Sequence, residues 1–125
     1  MTVMIVEDTA ILRKVMRNIL KEFCGMRDED IHEAEDAIKA IKSYKIVNPD
    51  IVFLDIAMPE INGKKAIGQL LTVDPGANII MFTGSRDAND VIECINAGAK
   101  DYLTKPLQPQ RVKEAVQKIL DQKNG

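Results

Sequence analysis

Five side chains in this sequence could act together if the fold brought them to one place: Glu7, Asp8, Asp55, Thr83 and Lys105. Each follows a short apolar run. Glu7-Asp8 comes after Val3-Met4-Ile5-Val6, Asp55 after Ile51-Val52-Phe53-Leu54, Thr83 after Ile79–Phe82, and Lys105 shortly after Asp101–Leu103. Three carboxylates in close quarters repel, so at least one should hold its proton unusually tightly unless a cation sits among them. Mg²⁺ suits such a group, because it binds one or two carboxylates and keeps positions open for water and phosphate. Lys105 would bring a fixed positive charge to a phosphoryl oxygen, and Thr83 could donate a hydrogen bond to another. Asp55 is then a candidate nucleophile for phosphoryl transfer, a reaction that asks for little beyond positioning and charge neutralisation.

Taken singly, each of these residues has an ordinary use. Asp8 or Thr9 could cap a helix, an Asp after a strand is commonly a turn residue, and a lone Lys is commonly solvated. Their joint placement after four different apolar runs is what points to a site.

The elements that must position them follow from period. Val3–Val6, Ile51–Leu54 and Ile79–Phe82 are continuous apolar runs, as expected of strands covered on both faces. Weaker strands are expected at Ile31–Ala34 and Asp101–Leu103. Between them lie amphipathic stretches. Ile11, Leu12, Val15, Met16, Ile19, Leu20 and Phe23 form one helical stripe, and Ala37, Ile38, Ala40 and Ile41 are the inward residues of a helix near 36–44. Further helices are expected near Lys64–Leu71, at Ala88–Ala97 with Gly98 as its C-terminal cap, and near Pro109–Leu120. Strands alternating with helices imply a parallel sheet with right-handed crossovers, an α/β fold. Ligands of such sheets bind beyond the carboxyl ends of the strands, where the strand order switches.

Composition narrows the function. The chain has 125 residues, 46% apolar and 29% charged, with 17 basic residues against 19 acidic ones. That length fits one domain over 1–125 with no separate output domain. The near balance of charge argues against a general binder of nucleic acid or membrane surfaces. No apolar run approaches a membrane span, and Glu7 and Asp8 interrupt the first one, so neither a membrane anchor nor a secretory signal is expected. Cys24 and Cys94 form no CxxC pair and suit a reduced, cytoplasmic setting as small packing residues.

The segments VMIVED, IVFLDIAMPEINGKKAI, IIMFTGS and AGAKDYLTKP, with the acid pair, Asp55, Thr83 and Lys105 in order, resemble the CheY-like receiver domains of two-component response regulators. The resemblance covers almost the whole chain. It implies a flavodoxin-like (βα)5 fold with helices on both faces of a five-stranded parallel sheet in the order 2-1-3-4-5. It also implies that Asp55 accepts a phosphoryl group from a sensor histidine kinase. Asp8, Asp55 and the backbone carbonyl of Ala57 would hold Mg²⁺, with Glu7 acting through water. Thr83 would contact the phosphoryl group, Lys105 would pair with it, and Tyr102 would be the aromatic switch that turns inward when Thr83 moves. Pro106 would follow a cis peptide bond that aims Lys105. The surface of the fourth helix, fifth strand and fifth helix would report phosphorylation to a separate protein target, with no DNA bound and no membrane insertion.

Further expectations concern single positions. Ala57 and Ser85 are the positions expected to set the lifetime of the phosphorylated state. Gly84 would leave Asp55 open to a bulky donor, and Met58-Pro59 and Asn62-Gly63 would shape the loop after Asp55. His32 is read as a packing or solvated residue, since a sole histidine supports no zinc site. Arg13, Lys14, Arg17 and Lys21 form a basic side of the first helix, read as a solvated face or as a docking face for an acidic partner.

A chemotaxis-type switch is the leading reading, and a phosphorelay intermediate serving a histidine-phosphotransfer protein is its neighbour. An aspartyl-phosphate hydrolase is weakened because Ala57 stands where such enzymes commonly carry a second Asp. A flavin carrier is weakened because Glu7-Asp8 would repel the cofactor's phosphate.

Overall fold

Short strands, three of them wholly buried, alternate with amphipathic helices from one end of the chain to the other. In the computed structural model, which describes residues 1–57, 63–84 and 88–124, the elements run β1 (Val3–Val6), α1 (Ala10–Cys24), β2 (Ile31–Ala34), α2 (Ala37–Val47), β3 (Ile51–Asp55), α3 (Gly63–Val73), β4 (Ile79–Thr83), α4 (Ala88–Ala97), β5 (Asp101–Thr104) and α5 (Pro109–Asn124). Every strand pairing is parallel, and the order across the sheet is β2-β1-β3-β4-β5. The chain therefore reverses its direction of travel across the sheet at β1, which places the switch point between β1 and β3.

The three apolar runs are buried along their whole length, as double coverage requires. Alternation along each strand divides the interior in two. Met4, Val6, Val52, Leu54 and Met81 pack on one face with Ala40, Ile67 and Cys94 from α2, α3 and α4. Val3, Ile5, Phe53, Ile80 and Phe82 pack on the other with Met16 and Leu20 of α1 and Val116 of α5. Cys94 is buried and Cys24 half-buried, both as free thiols.

The helical stripes are narrower than the sequence suggests. Met16, Ile19 and Leu20 are buried, but Ile11, Val15 and Phe23 are exposed. Ile38 of α2 is likewise exposed, while Ala37, Ala40 and Tyr44 are buried. A helix laid on a flat sheet covers one arc of its surface, and apolar residues at the edges of that arc stay in water.

Gly98 ends α4 at φ +122°, a backbone conformation that favours glycine, and a Cβ there would push the Leu71 side chain aside.

The basic side of α1 is solvated at Lys14, but its other three residues are paired. Arg13 and Arg17 pair with Glu33 of β2 at 2.9 and 2.7 Å, and Asp28 accepts from Arg17 at 3.1 Å and from Lys21 at 2.8 Å. Asp28 opens a short 3₁₀ turn, Asp28–Asp30, so the charged link between α1 and β2 supplies counterions to α1. His32 lies half-buried in β2.

Candidate functional site

Register decides what meets at the carboxyl edge. Val6 of β1 pairs with Leu54 of β3, so the next residues on the two strands, Glu7 and Asp55, emerge side by side. Asp55 pairs with Phe82, and Thr83 pairs with Thr104, which brings Thr83 and Lys105 to the same edge. Asp55 and Thr83 are the last residues of their strands rather than the first beyond them, because the ladder continues one pair further than the apolar runs. The Lys105 amide donates to the Thr83 carbonyl at 2.9 Å, tying the turn after β5 to the end of β4. The Lys105-Pro106 peptide bond is cis, as expected.

The site is largely closed to water. Glu7, Asp55 and Thr83 are 1%, 2% and 1% exposed, while Asp8 is exposed at the rim. Carboxylate oxygens of Glu7, Asp8 and Asp55 lie within 4.8 Å of one another. Asp55 Oδ1 accepts from the Ala57 amide at 2.9 Å, and Lys105 Nζ donates to Asp55 Oδ2 at 3.2 Å. The same ammonium stands 4.0 Å from Glu7 Oε2 and 5.4 Å from the centre of the Phe82 ring. The Phe82 face is thus a cation–π seat for Lys105, one that depends on three-dimensional packing and leaves no mark in the spacing of the sequence.

Thr9 and Arg13 are further residues at the site. Thr9 occupies the N-cap of α1 but makes no capping bond; its hydroxyl donates to Glu7 Oε1 at 2.5 Å. Arg13 Nη1 donates to the Glu7 carbonyl at 2.7 Å. Sequence reasoning treats Thr9 as a cap and Arg13 as a surface base. An acid two residues before a capping Thr is the one local signal that points elsewhere.

Three carboxylates face one ammonium here, and the electrostatics show the strain. Burial, and then the adjacent Asp55 carboxylate, push the Glu7 carboxyl up to about 7. When Glu7 is ionised its Oε2 is buried without a hydrogen-bond partner; holding a proton would let it donate to Asp55. An orphaned buried oxygen beside two further carboxylates is a donor set of hard oxygen atoms that fits Mg²⁺. Glu7, Asp8 and Asp55 could hold a metal ion.

Tyr102 sits apart from this cluster, 39% exposed on β5, with its ring beside the Arg111 guanidinium. At Gly84 there is open space, since a Cβ would meet no described atom within 4 Å. Ser85, Met58-Pro59 and Asn62 lie outside the described residues.

Comparison with known proteins gives the site a family. A model of the response regulator receiver domain matches residues 3–117. The chain is 43% identical over 117 residues to the chemotaxis protein CheY of Thermotoga maritima, covering 94% of this chain and 95% of that protein. It is 41% identical over 115 residues to the chemotaxis protein CheY of Listeria monocytogenes, covering 92% and 94%. Among solved structures, a CheY-like response regulator receiver domain protein from Methanospirillum hungatei superposes with a TM-score of 0.85 at 26% identity, covering 99% of this chain and 98% of that one. The CheX-CheY-BeF3-Mg+2 complex from Borrelia burgdorferi matches with a TM-score of 0.82 at 29% identity, covering 95% and 88%. By fold, by sequence and by the arrangement of its acidic strand ends, this chain belongs to the response regulator receiver domain family.

Proposed function

We propose that the protein is a phosphorylation-activated switch in which Asp55 accepts a phosphoryl group from the phosphohistidine of a sensor kinase. The observation that carries this reading is the setting of Asp55. One oxygen is held by the Ala57 amide, the other faces Lys105 at 3.2 Å, and the Glu7 and Asp8 carboxylates stand alongside.

In this reading Asp8, Asp55 and the Ala57 carbonyl would hold Mg²⁺, with Glu7 acting through water. When bound, the ion neutralises charge among the acids and on the incoming phosphoryl oxygens. The chain's own residues supply the rest. An Asp55 oxygen forms the new bond to phosphorus as the bond from phosphorus to the donor nitrogen breaks. Lys105, seated over Phe82 and drawn towards the acids, offers its charge to a phosphoryl oxygen. Thr83, buried at the end of β4, contacts another, and hydrolysis later returns the carboxylate and inorganic phosphate. The only chemistry catalysed is the protein's own phosphorylation and dephosphorylation. Ala57 brings no polar side chain to orient the attacking water, so Ala57, with Ser85, is assigned to the lifetime of the phosphorylated state.

The output in this reading is a population shift. Movement of Thr83 towards the phosphoryl group lets Tyr102 turn inward, which changes the face formed by α4, β5 and α5 and its affinity for a protein target. The match over residues 3–117 supports treating 1–125 as one receiver domain. The CheY relatives favour a chemotaxis-type role, and the CheX complex of the Borrelia protein is an example of a protein partner.

Incubation with acetyl phosphate and Mg²⁺ followed by intact-mass measurement tests the proposal. A single phosphoryl adduct on the wild type and none on Asp55→Asn is expected. An adduct that persists in Asp55→Asn would overturn the assignment.

A further inference from the structure

We propose that Arg111 is a positioning residue that latches the Tyr102 ring outward, so that α5 sets the resting position of the switch. The inference rests on the reading of Tyr102 as the switch side chain.

The geometry carries it. β5 is an edge strand whose residues alternate between buried and exposed: Asp101 and Leu103 are buried, Tyr102 and Thr104 exposed. A tyrosine ring on an exposed edge has little packing to define its position unless a neighbour covers one face. Arg111, on the first turns of α5, is that neighbour. Its Nη2 donates to Asp101 Oδ1 at 2.6 Å and to the Tyr102 carbonyl at 3.0 Å, and its Nη1 lies 3.4 Å from Asp101 Oδ2. Asp101 Oδ1 also accepts from the Tyr102 amide at 2.8 Å. The guanidinium is thus pinned by a carboxylate and a backbone carbonyl, and its Cζ stands 6.0 Å from the centre of the Tyr102 ring.

None of the pinning bonds involves the Tyr102 side chain. If the ring turned inward, Arg111 would keep Asp101 and the Tyr102 carbonyl and would lose the ring alone. The latch therefore acts on one rotamer of one side chain and leaves the strand in place. Its strength is that of a half-exposed cation–π contact at the long end of its range, corresponding to a two- to five-fold bias in favour of the outward ring. A bias of that size trims the signal of the unphosphorylated protein without opposing a full phosphoryl-driven shift. Lysine would not replace it, because a point charge lacks both the fork for Asp101 and the flat face for the ring.

The test is ¹⁹F NMR on the full chain labelled with 3-fluorotyrosine. Its two tyrosines report separately, with Tyr44 buried against Asp74 serving as an internal control of folding. Beryllofluoride with Mg²⁺ defines the activated end point. In the wild type the Tyr102 resonance should move on adding it. In unliganded Arg111→Lys, which keeps a cation beside buried Asp101, the resonance should already lie part of the way there, with a two- to five-fold larger inward population and an unchanged Tyr44. Arg111→Ala should give the same displacement or a larger one; if it does not fold, the lysine variant decides. If beryllofluoride moves Tyr102 while both folded variants rest where the wild type does, the latch is refuted and the switch stands. If beryllofluoride leaves Tyr102 unmoved, the switch reading fails and takes the latch with it.

Discussion

An aspartate stands at each end of β3, and each faces a lysine. At the amino end, Asp50 accepts from Lys123 at 2.5 Å and from the Thr2 amide at 2.8 Å. Its own amide donates to the Thr2 carbonyl, and its carbonyl accepts from Asn78 Nδ2. Burial pushes the Asp50 carboxyl up, but Lys123 and Thr2 outweigh it and hold it below the ordinary value. At the carboxyl end, Asp55 faces Lys105 at 3.2 Å, but Glu7 and Asp8 crowd in, and Glu7 Oε2 has no hydrogen-bond partner. The same two residue types give a half-exposed, satisfied staple at one edge and a closed, acid-rich cluster at the other. A charge surplus that the fold leaves standing sets apart the end where the phosphoryl transfer is proposed, because every other described polar side-chain atom buried in this molecule has a hydrogen-bond partner.

The largest effect should come from exchanging the two aspartates in turn. Asp55→Asn should abolish the acetyl phosphate adduct, whereas Asp50→Asn should leave its yield within about two-fold of wild type, both read by intact mass.

The next effect concerns the surplus itself. Mg²⁺ at about 100 times its Kd should stabilise the wild type by about 2.7 kcal/mol, as read from the unfolding midpoint. Glu7→Gln should weaken the ion's binding. In chelator, the Glu7 carboxyl titrates near 7 when folded against an ordinary 4.5, so the folded protein keeps a proton that the unfolded chain releases. Stability of the metal-free protein should then fall as pH rises through that window, and Glu7→Gln should flatten the slope. An equal slope in both proteins would remove Glu7 as its source.

Ala57→Asn should shorten the lifetime of the phosphorylated state several-fold by placing a polar group beside Asp55; equal dephosphorylation rates would remove Ala57 from the kinetics.

The smallest effect should be at the other end of β3. Lys123→Met should cost under about 1 kcal/mol, because the pair is exposed enough for water and salt to screen it. The Asp50 contribution is present above the ordinary carboxyl range and should fade as pH falls through its lowered folded value, with less of it at high salt.

Much of this was legible before any coordinates. The runs Val3–Val6, Ile51–Leu54 and Ile79–Phe82 could be read as doubly covered strands because a continuous apolar run has few other soluble uses. That Glu7, Asp55, Thr83 and Lys105 would share one edge of the sheet could be read from their places after such runs. The edges of the helical stripes could not. Ile11, Val15, Phe23 and Ile38 match the periodic pattern yet stay exposed, since period tells which residues share a face and not how much of that face is covered. The partners of Arg13, Arg17 and Lys21 were equally hidden, because they come from β2 and the turn before it.

The sequence by itself determined the alternation of strand and helix and which residues end each strand, since both are properties of local period and order along the chain. Parallel register then decided that Glu7 and Asp55 emerge together, which oxygen of Glu7 lacks a hydrogen-bond partner, that Phe82 seats Lys105, and that Arg111 covers Tyr102. Those contacts join residues far apart in the chain, and distance through space is set by strand pairing and helix crossovers that no local pattern records.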